Sequence, residues 1–292
     1  MTRPADAVID FLEAEQARGV SHIYLDEGAR DGLRALFRRS QPGTRPTSAM
    51  AAPAREATAP PAPTAPPAPS APPATLAIPT AEGASKAERL AALRQQAAAW
   101  APARALGTLR ETLVFATGNP DARLMLVGEA PGHEEEKQGE PFVGPAGQKL
   151  DGILQAMGLS RQDVYISNLV KFRPATARQT TNNRKPSPEE IAACLPFLRA
   201  EIGIIRPACI LALGGSAAEG LLGLTGAVGA MRGSWHHFEG IPVRVTYHPS
   251  YLLQSGANLS IKRQVWEDML MVMEELILPI SAKQRAFFLP KG

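Results

Sequence analysis

Short apolar runs alternate along the chain with longer amphipathic segments, and this alternation predicts strands and helices in turn. Four runs have the apolar character of buried strands: residues 124–127, 164–167, 209–213 and 243–247. Apolar positions at helical spacing predict helices at residues 86–100, 147–157, 188–204, 216–222 and 265–276. Because strands that alternate with helices form parallel sheets covered on both faces, we expect a three-layer α/β/α domain around a central, mostly parallel four-stranded sheet.

Composition divides the chain into four segments. Residues 1–40 carry a short amphipathic pattern that predicts a small α/β module of unassigned function. Residues 41–84 hold nearly half of the chain's 27 prolines together with many alanines. We expect a disordered linker there, because such a segment buries too little apolar surface to offset its ordering entropy. The α/β domain is expected at residues 85–280, followed by a tail at residues 281–292.

Charge and cysteine content narrow the class of protein. The net charge is +3 and the pI is about 9.0, which is a mild indication of a polyanionic partner. The two cysteines, Cys194 and Cys209, are too few for a disulfide framework and form no Cys-x-x-Cys metal motif. No apolar run reaches the ~18–20 residues of a membrane span, and the first residues lead into an amphipathic pattern instead of a signal peptide. We expect a cytoplasmic, monomeric protein that does not bind membranes.

Residues that follow the predicted strands are the first candidates for a functional site, because ligands of parallel sheets bind beyond the carboxyl ends of the strands. The first strand is followed by Gly-Glu-Ala-Pro-Gly at 128–132, which offers the Glu129 carboxylate and close approach of the backbone. Pro-Phe-Val-Gly at 141–144 then adds the aromatic face of Phe142. Neither a P-loop nor a dinucleotide fingerprint is present. The alternative is a tight strand-to-helix turn with Glu129 solvated and Phe142 in the core.

Polar side chains of a different kind follow the second and fourth predicted strands. Asn168 carries a donor and an acceptor and suits an amide-like edge, although an Asn in this place is often a turn residue. His248, next to Pro249, is placed to donate a hydrogen bond to developing negative charge, whereas a single histidine is usually structural. Cations that suit phosphate groups follow Asn168. They are Lys171, Arg173, Arg178 and Arg184.

These motifs, in this order, resemble those of the uracil-DNA glycosylase superfamily. Besides the two motifs after the first strand, they include Asn-Leu-Val-Lys-Phe-Arg-Pro at 168–174 and Thr-Tyr-His-Pro-Ser-Tyr-Leu-Leu at 246–253. The similarity runs from about residue 110 to residue 276 and is greatest to the family-4 type, the iron–sulfur enzymes of bacteria and archaea. The resemblance implies the superfamily's α/β/α fold. It also implies a repair enzyme that flips uracil out of DNA and hydrolyses its N-glycosidic bond, leaving an abasic site for base excision repair.

The resemblance further implies roles for individual residues. Glu129 would stabilise the cationic sugar and orient the attacking water, with Glu135 as a second candidate, and His248 would donate to the uracil O2. Phe142 would stack on the flipped base, and Asn168 would bind its amide edge. The remaining implied contacts are with the substrate, through Gly128 and Ala130, and with DNA, through Pro131, Gly132, Lys171, Arg173, Arg184, Pro249, Ser250 and Leu253.

One feature of the family is missing from this chain. Family-4 enzymes hold a [4Fe–4S] cluster with four cysteines, and only Cys194 matches one of these positions. Phe172 stands at the third position, and the first two fall near Ala101 and Arg104. One thiolate cannot hold a cluster that takes four ligands, so we expect neither a cluster nor another cofactor or metal. Trp100 and Phe172 would fill the space as core.

Two alternatives to a uracil glycosylase stay open on the sequence. One is a glycosylase for another deaminated base, such as hypoxanthine. The other is a non-catalytic protein that binds damaged DNA on a decayed fold. The loss of three cysteines favours decay, whereas the joint retention of Glu129, Phe142, Asn168 and His248 argues against it. The expected partners are uracil-containing DNA and, for the module at residues 1–40, another protein.

Overall fold

The computed structural model describes residues 76–254 and 259–289. Backbone contacts divide the chain into two units, Met1–Pro66 and Pro67–Gly292, and all described residues belong to the second. The predicted module at residues 1–40, and the predicted linker as far as residue 75, lie outside the described residues.

The described part of the chain is built around a six-stranded sheet with a parallel centre. The strands are β1 (Leu109–Leu113), β2 (Ala116–Gly118), β3 (Leu124–Gly128), β4 (Val164–Asn168), β5 (Phe172–Pro174), β6 (Cys209–Leu213), β7 (Trp235–Phe238) and β8 (Ile241–Thr246). The sheet has the order β2-β4-β3-β6-β8-β7, and β1 pairs separately with β5. Strands β4, β3, β6 and β8 are parallel, whereas β2 and β7 pair antiparallel at the two edges. The four parallel strands therefore end at one edge of the sheet.

Helices connect these strands and begin at residues that suit helix starts. They are α1 (Lys86–Ala98), α2 (Ala101–Ala105), α3 (His133–Gln138), α4 (Pro145–Met157), α5 (Pro188–Ile205), α6 (Gly215–Leu222), α7 (Val228–Met231), α8 (Pro249–Gln254), α9 (Leu259–Glu275) and α10 (Ala282–Arg285). Ser85 caps α1 and Ser187 caps α5, each in a capping box with a glutamate three residues later. Helix α4 begins with a proline, whose missing N–H and fixed φ suit a first turn.

The core lies on both faces of the sheet. In β3, Met125 and Val127 belong to the apolar cluster on one face, and Leu124 and Leu126 belong to the cluster on the other. All four side chains are buried. A strand buried on both faces is a continuous apolar run in sequence, which is why β3 was predictable, and the result is a three-layer α/β/α domain.

The predicted fold class is confirmed, and the predicted strand count is too low. Each of the four predicted runs forms one of the central parallel strands. The sequence missed β2 and β7 at the edges of the sheet because they are only three and four residues long. The adjacent histidines His236 and His237 also break any apolar alternation in β7.

The last described residues return to the domain. Gln284 accepts a hydrogen bond from Trp266 Nε1 at 2.6 Å through its backbone carbonyl. The ring of Phe287 lies 5.1 Å from that of Trp266. Residues 281–289, which the sequence separates as a tail, therefore pack against α9. None of the helices formed by the described residues combines the length and apolar character that crossing a bilayer requires.

Candidate active site

The carboxyl ends of the parallel strands open into one cavity of about 420 Å³. Glu129 follows β3, Asn168 ends β4, and His248 follows β8, and all three line this cavity. Ser216, in the first turn of the helix after β6, lines it as well. The structure thus brings together the strand-end residues that the sequence singled out.

Glu129 lines the cavity and has one carboxylate oxygen without a partner in the described part of the chain. Its Oε1 is buried and has no hydrogen-bond partner within the described ranges. The Ser216 hydroxyl donates a hydrogen bond to the carboxylate. Burial raises the pKa of Glu129 above its usual value, while the bond from Ser216 and the charge of Lys185 oppose that rise. A carboxylate that is partly stripped of water, with one oxygen unused, is suited to bind a cationic centre or a water molecule.

Asn168 and Phe142 meet over Gly128. Asn168 is 2% exposed, and its Oδ1 has no hydrogen-bond partner among the residues described. A Cβ at position 128 would lie 2.4 Å from Asn168 Oδ1 and 2.5 Å from Phe142 Cζ, so only glycine leaves room for both side chains. A free amide oxygen beside a buried aromatic ring suits a planar ligand that carries an N–H donor.

His248 completes the cavity from the end of β8. Its ring centre lies 5.7 Å from that of Phe142. The Ser250 backbone N–H donates to His248 Nδ1 at 3.2 Å, and the Ser250 hydroxyl lies 2.7 Å from the same atom. Because Nδ1 is an acceptor, the proton of the neutral ring is on Nε2. Burial lowers the pKa of His248 to about 4, so the ring is neutral near pH 7 and offers Nε2–H as a donor.

Glu135, the second candidate carboxylate, holds the loop that surrounds the cavity. Its Oε1 accepts hydrogen bonds from the backbone N–H groups of Val143 and Gly144 at 3.1 and 3.0 Å. Its Oε2 accepts from the Gly132 N–H at 3.1 Å. These bonds join the two glycine-containing motifs on either side of the loop, so Glu135 shapes the cavity that it also lines.

Lys171 is not placed to contact DNA, which contradicts the sequence-based prediction. Its side chain is fully buried and forms an ion pair with the equally buried Glu201. The ammonium group also donates to Ser167 Oγ at 2.6 Å and to the Asn168 carbonyl at 3.0 Å. Glu201 lies on α5, far along the chain, so no local pattern around Lys171 indicates this partner.

Arg173 is also internal, and its prediction as a DNA contact is wrong for the same reason. Its side chain is 2% exposed and donates to Glu136 Oε2 at 2.9 Å. Further hydrogen bonds run to Asn183 Oδ1 and to the carbonyls of Thr180 and Asn182. Arg173 therefore holds the loop that precedes α5.

Arg184 lines the cavity, but its donors are committed within the protein. Its guanidinium forms an ion pair with Glu190 at 2.5 Å. Its Nε donates to the Ala175 carbonyl at 2.7 Å, and Nη2 donates to the Thr108 carbonyl at 2.8 Å. The prediction that Arg184 binds phosphate is not supported by these contacts, which instead tie the loop to the helix that follows it.

Three polar residues that the sequence did not assign to the site line the cavity: Asn183, Lys185 and Ser216. Ser216 has the clearest sequence signal, because it follows the third of the parallel strands, where a helix start was predicted. Lys185 is exposed and forms an ion pair with Glu219 at 2.7 Å. Asn183 and Lys185 lie on an irregular loop, where no sequence period indicates direction.

The other predicted contact residues lie around the same opening. Pro249, which is buried, begins α8. Leu253, near the end of that helix, is 45% exposed. Of these predicted contact residues, the ones that line the cavity directly are Ala130, Pro131, Gly132, Phe142 and Ser250.

The cysteines do not fit the iron–sulfur cluster that the resemblance implies. A [4Fe–4S] cluster takes four thiolates, and the whole chain has two cysteines. Cys194 belongs to the apolar cluster on one face of the sheet, and Cys209 belongs to that on the other. Burial raises the pKa of Cys194 to about 11, which keeps the thiol protonated. Within residues 76–254 and 259–289, no group of three or more His, Cys, Asp or Glu side chains is arranged to hold a metal ion.

Aromatic and arginine side chains stand where the resemblance places the missing cysteines. Phe172 is 3% exposed, and the Arg104 guanidinium lies 5.9 Å from its ring centre. Trp100 meets Phe197 edge to face at 5.0 Å. Its Nε1 donates to the Ala193 carbonyl at 2.7 Å. Trp100 and Phe172 thus pack against other side chains, and Arg104 and Phe172 also line a cavity of about 360 Å³.

Comparison with known proteins agrees with this geometry. The family model of the Uracil DNA glycosylase superfamily matches residues 115–270. A Type-4 uracil-DNA glycosylase of Thermotoga maritima is 45% identical over 163 residues, which are 54% of this chain and 80% of the relative. Its counterpart in Pyrobaculum aerophilum is 41% identical over 156 residues, 51% of this chain and 76% of the relative. One from Saccharolobus solfataricus is 38% identical over 180 residues, 59% of this chain and 79% of the relative.

The matched residues span the six-stranded sheet and every residue that lines the cavity. Fold, site and sequence identity thus coincide over one continuous stretch of the chain. The protein belongs to the uracil-DNA glycosylase superfamily.

Proposed function

We propose that this protein is a uracil-DNA glycosylase, which hydrolyses the N-glycosidic bond of uracil in DNA and leaves an abasic site. The observation that carries the proposal is a pair of buried oxygens, Glu129 Oε1 and Asn168 Oδ1, that lack partners and belong to residues of one cavity. A buried polar atom without a partner costs about 1–3 kcal/mol, which a ligand that supplies the missing partner recovers. The relatives named Type-4 uracil-DNA glycosylase support the same reaction.

Asn168 selects the base. Its Oδ1 accepts from uracil N3–H, and its amide N–H group donates to O4. Cytosine has an acceptor at N3 and an amino group at C4, so both contacts would be mismatched, which disfavours binding strongly in a buried site. Phe142 stacks on the ring, and the backbone at Gly128 and Ala130 lies close to the base because neither residue has a side chain larger than methyl.

His248 stabilises the leaving group. As the bond from N1 to C1′ breaks, its electron pair stays on uracil, and negative charge develops at O2. The Nε2–H of the neutral ring donates to this oxygen, and Ser250 orients the ring through Nδ1. A donor fixed in a site that excludes water stabilises the anion without reorganising as the charge forms.

Glu129 acts on the sugar side of the bond. Its carboxylate stabilises the oxocarbenium-like sugar and accepts a hydrogen bond from the water that attacks C1′. The water oxygen forms the new bond to C1′, and its proton passes to the carboxylate or to solvent. The raised pKa of Glu129 makes it a stronger proton acceptor than a solvated carboxylate.

Access to the base requires the nucleotide to leave the helix, which costs a few kcal/mol. We assign to Leu253, which is exposed, the role of filling the space that the base vacates. Lys185 and Arg178, both exposed, supply cations for phosphates in place of the buried arginine and lysine. Close backbone contact with the phosphates falls to Pro131, Gly132, Pro249 and Ser250.

We further propose that the enzyme works without a cluster. None of the roles above uses a metal, and the side chains around Cys194 do not supply the thiolates that a cluster needs.

The test uses the purified full chain and a labelled oligonucleotide that contains one uracil. Alkali-sensitive strand cleavage is followed for the wild type, Asn168→Ala, Glu129→Ala and the control Gly152→Ala, whose new methyl group meets no atom within 4 Å. Iron is measured in the same preparations. We expect cleavage by the wild type and the control, loss in both site variants, and no iron. Excision of hypoxanthine but not of uracil would favour the alternative of a glycosylase for another deaminated base. DNA binding without any cleavage would favour the alternative of a non-catalytic protein that binds damaged DNA.

A further inference from the structure

The backbone of Phe142 has an unfavourable conformation. Its φ is +57°, in the left-handed region, where the Cβ of a non-glycine residue crowds the carbonyl. The side chain is nevertheless buried at 5% exposure, with its ring against Gly128. If this residue relaxed to an ordinary φ, its side chain would point elsewhere and the ring would leave the cavity. A strained residue of this kind persists only where its surroundings hold it.

Arg161 binds the carbonyl groups at this strained position. Its Nη2 donates to the Phe142 carbonyl, and its Nη1 donates to that of Pro141 at 3.2 Å. Its Nε donates to Asp151 Oδ1 at 2.7 Å, and Glu140 Oε1 lies 3.5 Å from Nη1. Because the guanidinium is planar and rigid, these contacts fix the Pro141–Phe142 backbone relative to α4, which carries Asp151.

Both ends of this arrangement are anchored. A Cβ at Gly147 would lie 1.7 Å from Phe142 O, so the backbone of α4 is in direct contact with this carbonyl. Arg161 begins a one-turn 3-10 helix whose preceding residue, Ser160, is held by Asp163 at 2.7 Å. The Phe142 carbonyl therefore contacts both the backbone of α4 and the Arg161 side chain, which extends from a capped turn.

We propose that Arg161 is a positioning residue for Phe142 and sets the place of the aromatic ring that stacks on the flipped base. The proposal rests on the proposed function for the role of the ring. Arg161 itself is not among the residues that line the cavity. It acts through the backbone of Phe142, and Asp151 and Glu140 orient its guanidinium.

The first test is a double-mutant cycle in the full chain, read as single-turnover uracil excision and as competitive inhibition by free uracil. Arg161→Ala is expected to reduce the rate and the affinity for uracil about tenfold, the size of a lost charge-assisted hydrogen bond. The rate and the uracil affinity of Arg161→Lys should lie between those of the wild type and Arg161→Ala, because an ammonium group keeps the charge but cannot donate to both carbonyls as the planar guanidinium does. The control Arg123→Ala, at an exposed arginine before β3, should match the wild type.

The decisive comparison is made in a Phe142→Ala background. There Arg161→Ala is expected to change the rate by less than about twofold, because the ring that it positions is absent. A full tenfold loss in that background would overturn the proposal, as would losses that follow the melting temperature alone in every variant.

A second measurement does not depend on activity. The amides of Val143 and Gly144, bonded to Glu135, directly follow Phe142, and their hydrogen exchange reports on the loop. Exchange is expected to become faster in Arg161→Ala and to stay unchanged in Arg123→Ala. If the wild type excised no uracil, the proposed function would fail while this measurement still tested the positioning role. Unchanged exchange in Arg161→Ala would refute it.

Discussion

Replacing Lys171 by methionine tests whether this residue forms an internal ion pair or contacts DNA. Lys171 and Glu201 are both fully buried and paired with each other. Methionine keeps most of the apolar stem and leaves the Glu201 carboxylate without its cation. Burial already raises the pKa of Glu201, and Lys171 opposes that rise. We therefore expect the pKa of Glu201 to rise further in Lys171→Met.

The size of the effect follows from burial. Removing one partner of a buried ion pair typically costs ~3–5 kcal/mol, because the other charge is left uncompensated. For a domain of ~150–250 residues, each kcal/mol lowers Tm by ~2–4 °C, so Lys171→Met should lower Tm by ~6–20 °C. A second change, Glu201→Gln, removes the stranded charge and is expected to restore most of the loss.

The effect should also depend on pH. A carboxyl group whose pKa is raised in the folded state favours folding at low pH, and this contribution is lost as the pH rises through the folded pKa. The difference in Tm between Lys171→Met and the wild type should therefore be larger at pH 8 than at pH 5. Calorimetry at the two pH values measures it.

A surface ion pair provides the matched control. Arg285 and Glu274 are 57% and 42% exposed and form an ion pair at 2.9 Å. Such a pair contributes ~0–1 kcal/mol, so Arg285→Met should change Tm by no more than about 4 °C. An unchanged Tm for Lys171→Met, with weaker DNA binding and a salt dependence reduced by about one phosphate contact, would refute the reasoning and make Lys171 a DNA contact.

Three further predictions concern the cavity. Gly128→Ala is expected to lower kcat/KM by about 100-fold or more, because its Cβ would lie 2.4 Å from Asn168 Oδ1, and oligonucleotide cleavage beside Gly152→Ala measures this. Glu129→Gln is expected to abolish excision yet raise Tm at neutral pH, since burial raises the pKa of Glu129 and its carboxylate therefore opposes folding above that pKa. Calorimetry should show this gain shrinking at low pH, and a gain independent of pH would contradict the assignment. The kcat/KM of the wild type should not fall as the pH drops through ~6.5, where an unperturbed histidine titrates, because burial lowers the pKa of His248 to about 4.

The central strands and the strand-end residues were predictable because each depends on local sequence alone. Buried parallel strands are continuous apolar runs, and parallel strands place their following residues at one edge of the sheet. It could therefore be predicted, without any knowledge of side-chain contacts, that Glu129, Asn168 and His248 lie close together. Their assignment to base recognition and chemistry came from the resemblance, and the superfamily is confirmed by the family match.

Local sequence did not predict whether the cationic side chains point to solvent or to the protein interior. Lys171 and Arg173 are residue types that commonly bind phosphate groups. Whether their side chains face solvent or the interior depends on partners that are distant in sequence. The partners are Glu201 on α5 and Glu136 on α3, and no short-range period connects either pair. The left-handed backbone of Phe142 and the contact with Arg161 are hidden for the same reason, since both depend on how α4 packs.

Contacts between side chains join the segments of this chain that lie near the positions of the missing cysteines. A structural metal contributes to folding by joining segments that are distant in sequence. In this chain Trp100, just before α2, is joined to α5 by a hydrogen bond to the Ala193 carbonyl and by its edge-to-face contact with Phe197. Arg184 joins its loop to the same helix through Glu190. These contacts join α5, which carries Cys194, to segments near the other positions that the resemblance assigns to cluster ligands.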